Sequence, residues 1–102
     1  MNDNDGWVVI DTETSGLGSP VYVLEIAAQR MLGWMPYGPP IQLFINHNVA
    51  IHPRAVEIHG YTRQFLRKHG MDPKKAYAQF SQYVGAKPVV SHNLAFDMER
   101  AL

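Results

Sequence analysis

An apolar run over residues 7–10 leads directly into two acidic residues, Asp11 and Glu13, which Thr12 separates. Because side chains alternate along a β-strand, both carboxylates leave one face of this strand and Thr12 leaves the other. Carboxylates held side by side repel each other, and burying their charge unpaired is costly. A divalent cation between their oxygens removes both costs, and oxygen ligands favour Mg²⁺ or Mn²⁺ over zinc. The alternative is a solvated strand end, because residues 14–20 are rich in turn formers.

The amino-acid composition predicts one small domain. The chain has 102 residues, of which 46% are hydrophobic and 18% are charged, so a core can form and disorder is not expected. Nine basic and nine acidic residues give zero formal net charge, which argues against a protein that grips a nucleic-acid duplex along its length. An enzyme that holds phosphates through metal ions needs less basic charge, because the cations supply it.

Two further classes are excluded by what the sequence lacks. Cysteine is absent, so neither a disulfide framework nor a thiolate metal site is possible. No apolar run reaches membrane-spanning length, and residues 1–5 lack the positive start of a signal peptide. We therefore expect a soluble cytoplasmic protein without a membrane partner.

The order of apolar segments predicts an α/β domain with a mixed sheet. Strands are predicted over residues 7–11, 21–31 and 41–45, joined by turns as in an antiparallel meander, although residues 25–30 are equally compatible with a helix. Short helices are predicted over residues 53–59 and 62–68, on either side of Gly60.

A longer helix is predicted to begin at Asp72, an N-cap residue followed by a proline in the first turn. Its apolar residues recur at helical spacing and should face the sheet; they are Ala76, Tyr77, Phe80, Tyr83 and Val84. A short strand over residues 87–90 and a helix over residues 93–102 complete the order.

A third acidic residue follows the last predicted strand. Ser91, His92 and Asn93 are suited to capping a helix, and Asp97 lies about one turn into that helix. If this strand lies beside the first one, Asp97 converges with Asp11 and Glu13 at the end of the sheet where open α/β sheets bind ligands. The alternative is that Asp97 is a first-turn acid favoured by the helix dipole.

These motifs, taken in order, resemble those of the DEDD superfamily of 3′–5′ exonucleases, the group that contains the proofreading epsilon subunit and RNase T. Residues 10–17 resemble its first motif and residues 91–97 its second. Between them, residues 25–28 resemble the second strand of the family, and residues 51–60 resemble its segment from a proline to a His-Gly pair. The resemblance covers nearly the whole chain.

The resemblance implies a ribonuclease H-like mixed sheet with flanking helices, formed by a three-strand antiparallel meander plus a parallel strand. Residues 1–102 would be a partial exonuclease domain. Asp11, Glu13 and Asp97 would be catalytic and would hold two Mg²⁺ or Mn²⁺ ions roughly 4 Å apart. The substrate would be a 3′ end of single-stranded DNA or RNA. Its terminal nucleotide would contact Thr12, Thr14, Gly16, Leu17, Ile58, His59, Asn93 and Phe96.

The third motif of the family, a His or Tyr base followed five residues later by a fourth aspartate, has no counterpart here. Asp97 is the last aspartate, and the five-residue spacing from His92 to Asp97 belongs to the second motif by its context. The other histidines lie outside the expected motif and are predicted in loops or on the surface; they are His47, His52, His59 and His69.

We therefore expect the front part of a longer enzyme, or a truncated relative completed by association with a polymerase or with itself. Two alternatives stay open at this point. The chain is a non-catalytic module of the exonuclease fold that binds nucleotides or a polymerase partner, or it is a purely structural domain. The preference for DNA or RNA is not encoded in any recognisable group.

Overall fold

The computed structural model describes residues 6–16 and 20–91, which form a mixed sheet with helices. In chain order the elements are β1 (Trp7–Thr14), β2 (Val23–Leu32), β3 (Met35–Pro36), β4 (Ile41–Phe44), α1 (Pro53–His59), α2 (Arg63–His69), α3 (Pro73–Val84) and β5 (Val89–Ser91). The helix predicted over residues 93–102 lies outside the described residues. Within the described part, no helix has the length and apolar character needed to cross a membrane.

The sheet places β1 between an antiparallel neighbour, β2, and a parallel neighbour, β5. On its other side, β2 pairs with both β3 and β4, each antiparallel to it. The predicted meander of three antiparallel strands plus one parallel strand is therefore confirmed, with β1, β2 and β4 as the meander. The two-residue β3 was not predicted, because its residues, Met35 and Pro36, lie in a segment rich in glycine and proline.

The second segment is a strand from Val23 to Leu32, which begins two residues later than predicted, and the helical alternative for residues 25–30 is wrong. Its alternating backbone groups pair with β1 on one side and β4 on the other, and this pairing outweighs local helix preference. β1 continues three residues beyond the predicted end at Asp11, because Thr12 and Glu13 also pair with β2. The register shifts between Glu13 and Thr14, where the strand ends.

Each helix begins at a side chain that accepts a hydrogen bond from a free backbone N–H group, and each helix ends at a glycine. His52 caps α1, and Gly60 ends it in the left-handed conformation at φ 77°. Thr62 caps α2, so this helix begins at Arg63, one residue later than predicted. Asp72 accepts hydrogen bonds from the first turn of α3, as predicted.

One face of the sheet packs against α3 and forms the core. The side chains of Val8 and Ile10 alternate inward from β1, and the predicted apolar face of α3 covers them. Phe80, 1% exposed, is the largest fully buried side chain. The remaining members of the core come from the strands and from α3: Val23, Ile26, Ala28, Leu43, Ile45, Ala76, Tyr83 and Val84, with Tyr77 packed against them.

The opposite face of the sheet, which we call the open face, carries the acidic residues. By alternation along β1 it includes Val9, Asp11 and Glu13. Val9 pairs with Val90 of β5, and the two side chains remain 37% and 48% exposed. The open face therefore presents the carboxylates to solvent beside a strip of apolar surface.

Candidate active site

Asp11 and Glu13 share the open face at the end of β1, as the alternation of the strand predicts. Asp11 is exposed and lies opposite Ala27 of β2, whereas Glu13 is half-buried and lies opposite Glu25. The pair therefore lies near the end of β1, beside a third acidic residue, Glu25, that the sequence motifs did not mark as part of the site.

The surroundings of Glu13 disfavour its charged form. Burial raises the pKa of this carboxyl group above its ordinary value of 4.5, and the negative charges of Asp11 and Glu25 raise it further. The nearby His59 has the opposite effect and lowers the pKa. A carboxylate held among other carboxylates gains most from a cation, so this arrangement fits a divalent ion coordinated by oxygen.

The strand that leads into the second acidic motif lies beside β1, which is the condition stated above for the convergence of Asp97 with the pair. β5 runs parallel to β1, and its last residue, Ser91, pairs with Ile10. The chain therefore leaves β5 next to Asp11. Asp97 lies outside the described residues, so its convergence with Asp11 and Glu13 stays a prediction, as do the roles of Asn93 and Phe96. Over residues 6–16 and 20–91, no group of three or more His, Asp or Glu side chains is placed to hold a metal ion.

The turn after β1 is held against α1 by backbone contacts. The backbone N–H of His52 donates to the carbonyl oxygen of Ser15 at 2.8 Å, and the Ser15 Oγ accepts from the N–H of Tyr22 at 2.9 Å. Gly16 follows with φ 107°, a conformation that L side chains rarely adopt. The Thr14 Oγ1 accepts from the Gly16 N–H at 3.3 Å. The turn that should hold the terminal nucleotide is thus shaped by its own side chains and by α1.

His59 joins the two segments predicted to bind the nucleotide. Its Nδ1 accepts from the backbone N–H of Tyr61 at 2.9 Å, so the ring proton lies on Nε2, which donates to the carbonyl oxygen of Thr14 at 2.9 Å. The structure therefore brings His59 and Thr14 together although 45 positions separate them. Ile58, beside His59, is 79% exposed and available to a ligand. Thr12 is half-buried, and Leu17 lies outside the described residues.

Three histidines have roles other than binding at this site. His47 is half-buried, its Nε2 lies 3.0 Å from the Val23 carbonyl oxygen, and burial lowers the pKa of its ring. His52 is the exposed cap of α1, and His69 is exposed at the end of α2. The prediction of loop and surface positions is therefore confirmed for these three residues.

Two residues at the site, Glu25 and Tyr61, are not among those that the sequence motifs predict. The Glu25 carboxylate is only 8% exposed, and its two oxygens accept hydrogen bonds from the Tyr61 hydroxyl and the Gln42 side-chain amide. An acidic residue inside the otherwise apolar stretch of residues 23–28 was a signal that could have marked Glu25. No comparable signal marks Tyr61.

Two acids at the end of the first strand, with a parallel strand beside that strand, form the arrangement that the sequence motifs predict. Residues 8–102 match the RNase T family model, which is described as an exonuclease. The chain belongs to this exonuclease family, which confirms the resemblance of its motifs to the DEDD 3′–5′ exonucleases.

The relatives with curated descriptions are subunits of a DNA polymerase. The chain is 29% identical over 104 residues to the DNA polymerase III subunit epsilon of Pasteurella multocida (strain Pm70), covering 96% of this chain and 41% of the relative. It is 31% identical to the corresponding subunit of Buchnera aphidicola subsp. Schizaphis graminum, covering 96% of this chain and 44% of the relative. The chain therefore spans less than half the length of these relatives.

The solved structures that resemble this chain include exonuclease I. An apo structure of exonuclease I superimposes with a TM-score of 0.86 at 23% identity, covering 96% of this chain and 24% of the other. The exonuclease I of Methylocaldum szegediense gives a TM-score of 0.80 at 23% identity, covering 93% of this chain and 21% of the other. These similarities confirm the ribonuclease H-like fold.

Proposed function

We propose that this chain supplies metal-binding acids and part of the 3′-nucleotide site of an exonuclease that shortens single-stranded DNA or RNA. The observation that carries the proposal is the parallel pairing of β5 with β1, in which Ser91 lies beside Ile10. If the chain continued in the direction of β5, the residues that follow Ser91 would approach Asp11 and Glu13. Asp97 would then be the third acid of the same site.

The donor atoms at the end of β1 suit Mg²⁺ or Mn²⁺. Asp11 and Glu13 offer carboxylate oxygens on one face, and the burial and neighbouring charges that raise the pKa of Glu13 favour a cation there. When bound, two such ions would supply the positive charge that activates water and stabilises the leaving oxygen of a phosphodiester. Asp11, which is exposed, would also be accessible to the phosphate of the substrate.

The terminal nucleotide would lie between the turn after β1 and the end of α1. Thr14 and Gly16 provide one wall, and Ile58 and His59 provide the other. The hydrogen bond from the His59 Nε2 to the Thr14 carbonyl joins the two walls, so a nucleotide would meet a preformed surface. Because Glu13 lies close enough to His59 for their charges to interact, this surface would place the terminal nucleotide beside the acids.

The general base and the fourth acid of the family would come from residues outside this chain's two acidic motifs. The curated relatives are more than twice as long as the matched region, which supports a site completed by a further segment, a polymerase partner or a second copy. Binding to a polymerase is part of this proposal, since both relatives bear the name of a polymerase subunit.

The test of the proposal uses Asp11→Asn, which keeps the size of the side chain and removes its charge. A 5′-labelled single-stranded oligonucleotide, DNA in one series and RNA in the other, is incubated with the purified protein and Mg²⁺. In the complete assembly, with the further segment, polymerase partner or second copy that supplies the missing base and acid, we expect wild type to produce a ladder of 3′-shortened products. Asp11→Asn should lose at least about 100-fold in rate, because loss of a direct ligand should exceed the loss seen for outer groups. Glu57→Gln, an exposed acid on α1, is the matched control and should cleave like wild type.

A binding experiment separates this proposal from a non-catalytic module. Titration with Mn²⁺ and thymidine 5′-monophosphate should show uptake of both by wild type and loss of metal uptake by Asp11→Asn. Uptake of Mn²⁺ and nucleotide without any hydrolysis of the oligonucleotide would identify a binding module. Absence of both uptake and hydrolysis would identify a structural domain. Unchanged turnover by Asp11→Asn would refute the assignment of the acids.

A further inference from the structure

We propose that Tyr61 and Glu25 are positioning residues that hold His59 in the orientation needed to receive the 3′-terminal nucleotide. This inference rests on the proposed function, because it assigns a task to residues around the same site. It concerns a network of side chains that crosses from β2 to the segment between α1 and α2.

The first part of the network is the buried carboxylate of Glu25. Glu25 lies directly opposite Glu13, an arrangement of like charges that weakens a sheet. A glutamine at this position would keep the size and one acceptor oxygen without the repulsion. The benefit of a carboxylate at this position lies in its hydrogen bonds, since a carboxylate accepts more strongly than a neutral oxygen.

The partner of Glu25 is the hydroxyl group of Tyr61, which donates to the Glu25 Oε1 at 3.0 Å. Burial and this hydrogen bond to Glu25 both raise the pKa of Tyr61, so the hydroxyl keeps its proton and remains a donor. The ring of Tyr61 has three aromatic neighbours. It stacks on His59 at a centroid distance of 4.9 Å and on Phe65 at 5.2 Å, while Phe44 contacts it edge-on at 5.2 Å.

The second part of the network is the connection from Tyr61 to His59. The Tyr61 backbone N–H donates to the His59 Nδ1, and the stacked rings lie within 22° of parallel. With Nδ1 occupied as an acceptor, the proton stays on Nε2 and points to the Thr14 carbonyl oxygen. Tyr61 thereby sets both the plane and the tautomer of His59.

The consequence is that one hydroxyl group links the sheet to both walls of the nucleotide site. If Tyr61 loses its anchor on Glu25, the stacked pair of rings is free to tilt, and the contact between His59 and Thr14 loosens. A nucleotide would then meet a site that must be ordered on binding, which lowers affinity. The acids that hold the metal ions are not displaced, so the chemical step should change little.

The decisive variant is Tyr61→Phe, which removes only the hydroxyl oxygen and keeps the ring stack. We expect the Kd for thymidine 5′-monophosphate in the presence of Mn²⁺, and the KM for a single-stranded oligonucleotide, to rise about tenfold, as for loss of a hydrogen bond to a charged group. We expect kcat to stay within about twofold of wild type. Tyr37→Phe is the matched control, because the Tyr37 hydroxyl has no hydrogen-bond partner in the described part of the chain.

A second measurement reports on His59 without requiring activity. In metal-free protein, nitrogen NMR of the imidazole should show a protonated Nε2 and an unprotonated Nδ1 in wild type. In Tyr61→Phe, the Nε2 proton should exchange with water at least about tenfold faster, because its hydrogen bond opens more often. Failure of the wild-type protein to bind or cleave nucleotides would refute the proposed function. The NMR exchange rate of the His59 Nε2 proton would still decide whether the network positions His59.

A double-mutant cycle tests the pairing of the two residues. Glu25→Gln should weaken nucleotide binding less than Tyr61→Phe, and adding Glu25→Gln to Tyr61→Phe should cause little further loss, because the shared hydrogen bond is already absent. Additive effects would refute the pairing. A lower unfolding midpoint in Tyr61→Phe, with unchanged Kd, KM and His59 exchange, would show a merely structural role and overturn the inference.

Discussion

Gly16 is the residue at which the geometry of the nucleotide turn is most sensitive to substitution. Its φ of 107° lies beyond the left-handed region that side chains tolerate. A Cβ atom added there would lie 2.7 Å from the His52 Cβ and 3.2 Å from the Ala55 Cβ. Neither neighbour is the tip of a flexible side chain, so Gly16→Ala would force the first turn of α1 away from β1.

The expected cost of Gly16→Ala has two parts. Holding an alanine in a disfavoured backbone conformation costs about 1–3 kcal/mol, and the close contact with α1 adds about 1–3 kcal/mol. We predict a loss of about 4 kcal/mol in the free energy of unfolding, the middle of the summed range. For a domain of this size, that loss corresponds to a fall of roughly 16–32 °C in Tm.

Gly33→Ala provides the matched comparison. Gly33 also has a positive φ, 57°, but no atom lies within 4 Å of an added Cβ. Its substitution should cost only about 1–2 kcal/mol, the penalty for left-handed backbone. Urea unfolding of both variants, followed by circular dichroism, measures the difference. Equal losses would show that contact with α1 is not the cause and would refute the reasoning.

Three further predictions concern single side chains. Glu13→Gln should stabilise the metal-free protein at pH 7 by about 0.5–1 kcal/mol, because it removes like-charge repulsion across the strands. The charge of Glu13 is unfavourable only above the raised pKa of the folded protein. The stability advantage of Glu13→Gln should therefore fade as the pH falls through that pKa towards 4.5. Thermal unfolding at several pH values checks this prediction, and a stability difference that does not change with pH would contradict it. His47 has a lowered pKa in the folded protein, so the unfolded chain takes up the proton first, and stability should fall as the pH drops from 6.5 through the folded pKa. Urea midpoints of His47→Gln should lack this part of the acid slope, and identical slopes in variant and wild type would count against a buried neutral imidazole. The Tyr83 hydroxyl accepts from the Arg30 N–H at 2.9 Å and donates to the Pro39 carbonyl at 3.0 Å, so Tyr83→Phe should lose about 1–3 kcal/mol in urea unfolding. If Tyr83→Phe lost no more free energy of unfolding than Tyr37→Phe, the prediction for Tyr83 would be refuted.

Much of the fold follows from signals that are local in the sequence. Asp72 before Pro73, and Gly60 after the first short helix, mark helix ends because caps act over a few residues. The spacing of Ala76, Phe80 and Tyr83 predicts the buried face of α3, because a helix repeats every 3.6 residues. These features depend on neighbours in the chain and need no knowledge of the rest of the molecule.

Local sequence signals did not determine the conformation of residues 25–30. Their alternation is weak because β2 is largely buried on both faces, which makes a strand and a buried helix equally compatible with the pattern. Pairing with β1 and with β4 decided the outcome, since each adds a ladder of hydrogen bonds that a helix in this place would forfeit.

Some features of the candidate site also follow from the sequence, and others depend on the tertiary structure. The sequence alone determined that Asp11 and Glu13 share one face of a strand, because alternation is a property of the strand itself. Only the tertiary structure decided that Glu25 faces Glu13, that Tyr61 reaches Glu25 and that His59 meets Thr14. Those contacts join residues on different elements, the last two across 36 and 45 positions, and depend on strand register and helix docking, which no local pattern encodes.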